Sequence, residues 1–176
     1  MLGPLLGLQW LLLLVFALRV QHNGWLYHQD ADTTYYTTTS WLLSDWRLST
    51  TPIGYGWPYL LSPISLFAGP DALSALPAVV VIQALVLVPV ATLCVYGIAS
   101  RIGGRLVGYW TSALWVVVPY ALIPFWDDRY DRTYRELFLP GPLGLTALPE
   151  LSSTVCLLVA AYLVLRALGE DRKSVV

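Results

Sequence analysis

The sequence predicts an all-α, polytopic membrane protein with about four transmembrane helices, and three observations lead there. Of the 176 residues, 57% are hydrophobic and 12% charged, against roughly 25% charged in an ordinary soluble domain. The mean hydropathy is +0.63. The apolar residues also gather in runs close to the roughly 20 residues that cross a bilayer as a helix. The same figures exclude other classes. Disorder needs low hydrophobicity and high net charge. A nucleic-acid partner is not expected, because binding one needs a basic surplus and the net charge is −1. Two cysteines, Cys94 and Cys156, are too few for a disulfide-stapled scaffold, and both lie inside apolar runs.

The first run, Leu2–Leu18, ends at Arg19 and lacks the basic start and small-residue cleavage site of a signal peptide, so it reads as a first span. The second, Pro77–Ala99, is interrupted only by Gln83 and Pro89. A tight link, Ile102–Arg105, separates it from the third, Leu106–Pro124. The fourth, Leu151–Leu168, carries Arg166 near one end, where it can snorkel to the interface. A further uncharged run, Ile53–Ala68, holds Pro58 and Pro63 and reads as interfacial or re-entrant.

Spans near 2–18, 77–99, 106–124 and 151–168 put the two long loops, 19–76 and 125–150, on one face with nine of the eleven acids. The basic residues divide five and five between the faces, but those of the short side are packed into fewer residues. The positive-inside rule weights short loops, which places the long loops outside the cytoplasm. The last six residues, Asp171–Val176, match the translation of a widely used sequencing adapter. Residues 1–170 are therefore read as the native part of a truncated protein and 171–176 as a non-native tail.

Chemistry-bearing residues collect in the long loops. Asp30 and Asp32 stand one residue apart, and in an extended segment such positions point the same way. They can then share a divalent cation, which favours oxygen ligands, or one of them can act as a general base. Two solvated loop acids would look the same. His28 extends the pattern to His-x-Asp-x-Asp and is either a nitrogen ligand or a surface residue. Beyond the acids, Trp41, Leu42, Asp45 and Trp46 suggest a short amphipathic helix on the membrane surface, a depth that Trp and Tyr favour. In the second loop, Asp128–Arg132 and Asp131–Arg135 form i,i+4 pairs on a helix; alternatively Arg129 and Arg132 meet a phosphate in bidentate fashion. Glu150 stands alone at the mouth of the last span, where an acid needs a partner or a role.

In this order the motifs resemble the N-terminal part of a GT-C-type glycosyltransferase, of the dolichyl-phosphate-mannose-protein mannosyltransferase and lipid A aminoarabinose transferase kind. An apolar span is followed by an acidic motif, QDADTTYY, in which Asp32 and Tyr36 match Asp-x-x-x-Tyr. An aromatic, proline-rich approach to the second span follows, YGWPYLLSPISLFAGPDALSALP. The second span ends in a basic turn, YGIASRIGGRLVG, and an acid precedes the fourth, LPELSS, with Glu150 where the family usually has Asp. The resemblance implies transfer of a sugar from a polyprenyl-phosphate donor to an extracytoplasmic acceptor that is a protein, a lipid or a glycan. Asp32 would be the catalytic base, Asp30 its alternative, and Glu150 the second acid, orienting a cation or the acceptor. Tyr36, Arg129 and Arg132 would contact substrate. The family has many more spans than this chain, so the piece alone is expected to be inactive. The competing reading is a non-enzymatic four-span protein, a transporter part or an assembly subunit.

Overall fold

A computed structural model describes residues 2–19, 30–50, 52, 54–122 and 141–174, and among these there is no strand. The helices are α1 (Gly3–Arg19), α2 (Asp30–Ser44), α3 (Gly56–Ala68), α4 (Leu76–Ile82), α5 (Val88–Ala121) and α6 (Glu150–Ser174). A π-helical turn, Gln83–Leu87, joins α4 to α5 without a break. The turn ends two residues before Pro89, which has no N–H for the Leu85 carbonyl and whose ring would crowd it; widening the helix here eases that conflict.

Two helical segments are long and apolar enough to cross a membrane: Leu76–Ala121, of 46 residues and mean hydropathy 2.6, and Glu150–Gly169, of 20 residues and 2.0. Only 44% and 11% of these windows are buried inside the protein. The core helix of a water-soluble domain would be mostly buried, whereas Leu157, Leu163 and Leu168 of α6 are uncovered, as suits a helix that crosses a membrane. Helix α1 is equally apolar over Gly3–Leu18 but shorter.

The 46-residue segment is not straight. Gly104 takes φ 85° and ψ 173°, a conformation that essentially only glycine adopts, and it breaks α5 where the sequence placed its tight link. Beyond the break the chain doubles back. Tyr96 and Tyr109 meet with ring centroids 5.0 Å apart, and Val88 and Ala91 share a small cavity with Trp115 and Val116. On the short side, the Arg101 guanidinium lies 4.4 Å from the Tyr162 ring centroid, tying the bend to α6.

The core gathers Leu13 and Phe16 of α1, Leu61 of α3, Leu76, Val79 and Val80 of α4, Val88 and Ala91 of α5, and Leu151 and Val155 of α6. Leu145 and Ala147, from the segment leading into α6, complete it. Polar ties fix α1 against the π turn and α5. Thr92 Oγ1 donates to Gln9 Oε1 at 2.7 Å, and Trp10 Nε1 donates to the Ala84 carbonyl at 2.9 Å.

Two sequence expectations gain detail in the first long loop. The run Ile53–Ala68, read as interfacial or re-entrant, holds a helix over 56–68 despite its prolines. Pro58 sits in its first turn, where the missing N–H costs nothing, and the Tyr59 carbonyl freed by Pro63 accepts from Ser62 Oγ at 2.9 Å. The surface helix expected around Trp41–Trp46 is instead the end of the longer α2. It closes with Arg47 N–H bonded to Leu42 O at 2.8 Å and Trp46 N–H to Leu43 O at 3.0 Å. This is a Schellman closure with Trp46 in the left-handed position, φ 58°, where glycine is usual. The indole is 96% exposed, so its contacts within the chain do not compensate the backbone cost. Trp46→Gly is therefore expected to raise the stability of detergent-solubilised protein by about 1 kcal/mol, read as a higher Tm; a lower Tm would contradict this.

Candidate active site

Asp32 and Tyr36 lie four residues apart on α2 and therefore share a face. Asp32 is exposed and Tyr36 half-buried. On the neighbouring face Thr33, Thr37 and Ser40 are buried. Thr37 Oγ1 returns to the Thr33 carbonyl at 2.8 Å, and the Ser40 and Ser65 hydroxyls meet at 2.6 Å. Small hydroxyl side chains thus let α2 pack closely on α3, and this packing sets the direction in which Asp32 and Tyr36 look.

The helical state of α2 corrects the expectation of an extended Asp-x-Asp. Residues two apart on a helix are separated by about 200°, so positions 30 and 32 no longer share a face and the geometric argument for one cation between Asp30 and Asp32 falls. Among the described residues no group of three or more His, Cys, Asp or Glu gathers as metal ligands. His28, Arg129 and Arg132, with the charged stretch Asp127–Glu136, lie outside the described residues, as does the side chain of Asp30.

Glu150 is delivered by the segment 141–149, which is held from three sides. Gly144 N–H closes a turn on Gly141 O at 2.9 Å, Trp57 Nε1 of α3 donates to Ala147 O at 2.7 Å, and Gln83 Nε2 donates to Thr146 O at 2.6 Å. Gln83 is 1% exposed and sits at the start of the π turn, so an amide inside the bundle pins the backbone that precedes the acid. Thr146 Oγ1 accepts from Leu148 N–H at 3.2 Å. The carboxyl of Glu150 rests directly against Gly141, in space that any side chain at 141 would occupy.

Two distant parts of the chain act electrically on one group at this point. Burial, followed by the charges of Asp32 and Glu150, raises the Tyr36 phenol above its ordinary value. Asp32, Tyr36 and Glu150 thus form one electrostatic group.

No protein-family model, curated protein or solved structure matches the chain. The residues that sequence reasoning missed are those that aim the acid: Gln83, Trp57, Gly141 and Gly144. Gln83 was the only one with a visible signal, a single amide within an apolar run.

Proposed function

We propose that the chain forms the N-terminal part of a GT-C-type polytopic glycosyltransferase, which transfers a sugar from a polyprenyl-phosphate donor to an extracytoplasmic acceptor. In this reading the four spans near 2–18, 77–99, 106–124 and 151–168 leave both long loops on the extracytoplasmic side. The observation that carries it is the group formed by Asp32, Tyr36 and Glu150. Two carboxylates from distant parts of the sequence both act on the Tyr36 phenol, beside apolar helices, where a lipid-borne substrate would present its head group.

The chemistry assigned is inverting transfer. Asp32 takes the proton of the acceptor hydroxyl, the acceptor oxygen bonds to the anomeric carbon, and the bond from that carbon to the phosphate oxygen breaks. Polyprenyl phosphate departs with the bonding pair. Glu150 orients the acceptor, and Tyr36 contacts it. Arg129 and Arg132 remain the proposed phosphate contacts.

The test is transfer by membranes that carry the full-length protein, supplied with radiolabelled hexosyl and pentosyl polyprenyl phosphates. Label is expected to move to a protein, lipid or glycan acceptor from one donor class. Intact donor in every case would overturn the proposal. A transporter part or assembly subunit is the second reading. It is favoured by the polar groups inside the bundle, the Gln9–Thr92 pair and Gln83 Oε1, which has no partner among the described residues. Donor or solute crossing the membrane without label transfer would select it.

A further inference from the structure

Helix α3 is apolar on two faces, and only one of them is used. Pro58, Leu61 and Ser65 are buried against α2 and the core. Tyr59, Leu60, Pro63, Leu66 and Phe67 recur at the helical spacing i, i+1, i+4, i+7, i+8 and are exposed, Phe67 by 90%. The helix carries no charge. At its edge an open groove of about 490 Å³ runs between α3 and the end of α2, lined by Trp46, Leu48, Tyr55, Tyr59, Pro63 and Leu66. Trp46 and Leu48, 96% and 82% exposed, form the rim nearest the α2 closure. A stripe of this kind standing in water would be an aggregation surface.

The covalent connection fixes where this stripe lies. Seven residues, 69–75, separate α3 from the helical segment that begins at Leu76, and even fully extended they span no more than about 25 Å. Leu61 of α3 and Leu76 of α4 also belong to one core cluster. The exposed face of α3 therefore stands at the level where the membrane-crossing segment enters the bilayer, continuous with the apolar surface of that segment. Trp and Tyr concentrate at this depth because an apolar ring and a polar N–H or O–H meet different solvents there. Aromatic residues also outnumber charged ones along the groove, Trp46, Tyr55 and Tyr59 against none.

We propose that the outer face of α3, with Trp46 and Leu48 at its rim, is a lipid-binding surface. It lies in the boundary between phospholipid head groups and acyl chains, with the groove occupied by a phospholipid. The left-handed backbone at Trp46 turns the indole outwards into this layer. The inference rests on the membrane reading given above but not on glycosyl transfer. It sets α2, and with it Asp32 and Tyr36, at head-group height.

The experiment uses the chain in phosphatidylcholine–phosphatidylglycerol nanodiscs, with Cys94→Ala and Cys156→Ala and one nitroxide-labelled cysteine at a time. Labels at Leu60→Cys, Phe67→Cys and Trp46→Cys are compared with Leu114→Cys as a bilayer reference and with free nitroxide-labelled cysteine in buffer as a water reference. Relaxation by oxygen and by a water-soluble nickel chelate reads the depth. The expected result is a ratio of oxygen to nickel access at 60, 67 and 46 at least threefold above that of the free label. A ratio at 60 and 67 equal to that of the free label, with 114 still in the bilayer, would overturn the proposal alone. Water-like values at 114 as well would overturn the membrane reading beneath it. Protection from both reagents, with dipolar broadening between copies, would instead assign the face to self-association and contradict the lipid assignment.

Discussion

In the full-length protein, Asp32→Asn is expected to reduce sugar transfer from the polyprenyl-phosphate donor by about 100- to 10,000-fold, the range over which a positioned general base accelerates proton transfer. The substitution keeps the shape of the side chain and its place on the exposed face of α2, so folding should be preserved. It removes the site that takes the acceptor proton, so the loss should fall on kcat rather than on donor binding. The same change removes one of the two charges that raise Tyr36. A matched titration of that phenol would verify that the site is intact but altered. Unchanged transfer with a shifted Tyr36 would refute the role of Asp32 while leaving the geometry standing.

The largest effect on stability is expected at Gly144. Its φ of +74° lies in the left-handed region, and a Cβ there would meet Leu151 Cδ2 and, at 3.2 Å, Gln83 Cβ. Leu151 is 3% exposed and belongs to the core, so it has little room to give way. Gly144→Ala combines an unfavourable backbone with overpacking and should cost about 2–4 kcal/mol. Thermal unfolding measures this directly. Because the turn at 141–144 leads into Glu150, the surviving folded protein should also show a weaker effect of Glu150 on the Tyr36 phenol. A change below about 0.5 kcal/mol would mean that the turn is not held as described.

Much of the helical layout could be read from the sequence, because apolar runs and their interruptions are one-dimensional signals. The link at Ile102–Arg105 is an instance: two glycines between arginines mark a reversal, and the break falls at Gly104. The content of the first long loop was harder to read. Helix α2 contains five threonines, residues of modest helix propensity, and the face it buries is made of hydroxyls rather than leucines. No apolar period of 3.6 therefore appears, and the helix forms because α3 offers a matching small-residue surface, as at Ser40 and Ser65. For the same reason Asp-x-Asp looked extended, whereas the residue four positions on from Asp32, on the same helix face, is Tyr36.

The association of Asp32 with Glu150 was legible only as a matter of parity, both residues falling in loops of one face. Their joint action on Tyr36 depends on Trp57 and Gln83 binding the carbonyls of Ala147 and Thr146. Such bonds join a side chain to the backbone of a distant segment and leave no spacing rule in the sequence. Gly141 and Gly144 looked like ordinary loop residues until the carboxyl of Glu150 and the side chain of Leu151 were seen beside them.

The proposed function stands on Asp32 and Glu150 sharing one mouth. The most direct measurement is the ionisation of Tyr36, followed by carbon NMR of selectively labelled tyrosine in nanodiscs and assigned by Tyr36→Phe. The Tyr36 midpoint is expected above the ordinary phenol value in the parent protein and lower in both Asp32→Asn and Glu150→Gln, because each removes one of the charges that raise it. A midpoint unchanged by Glu150→Gln would place that carboxylate apart from Asp32 and Tyr36 and contradict the account.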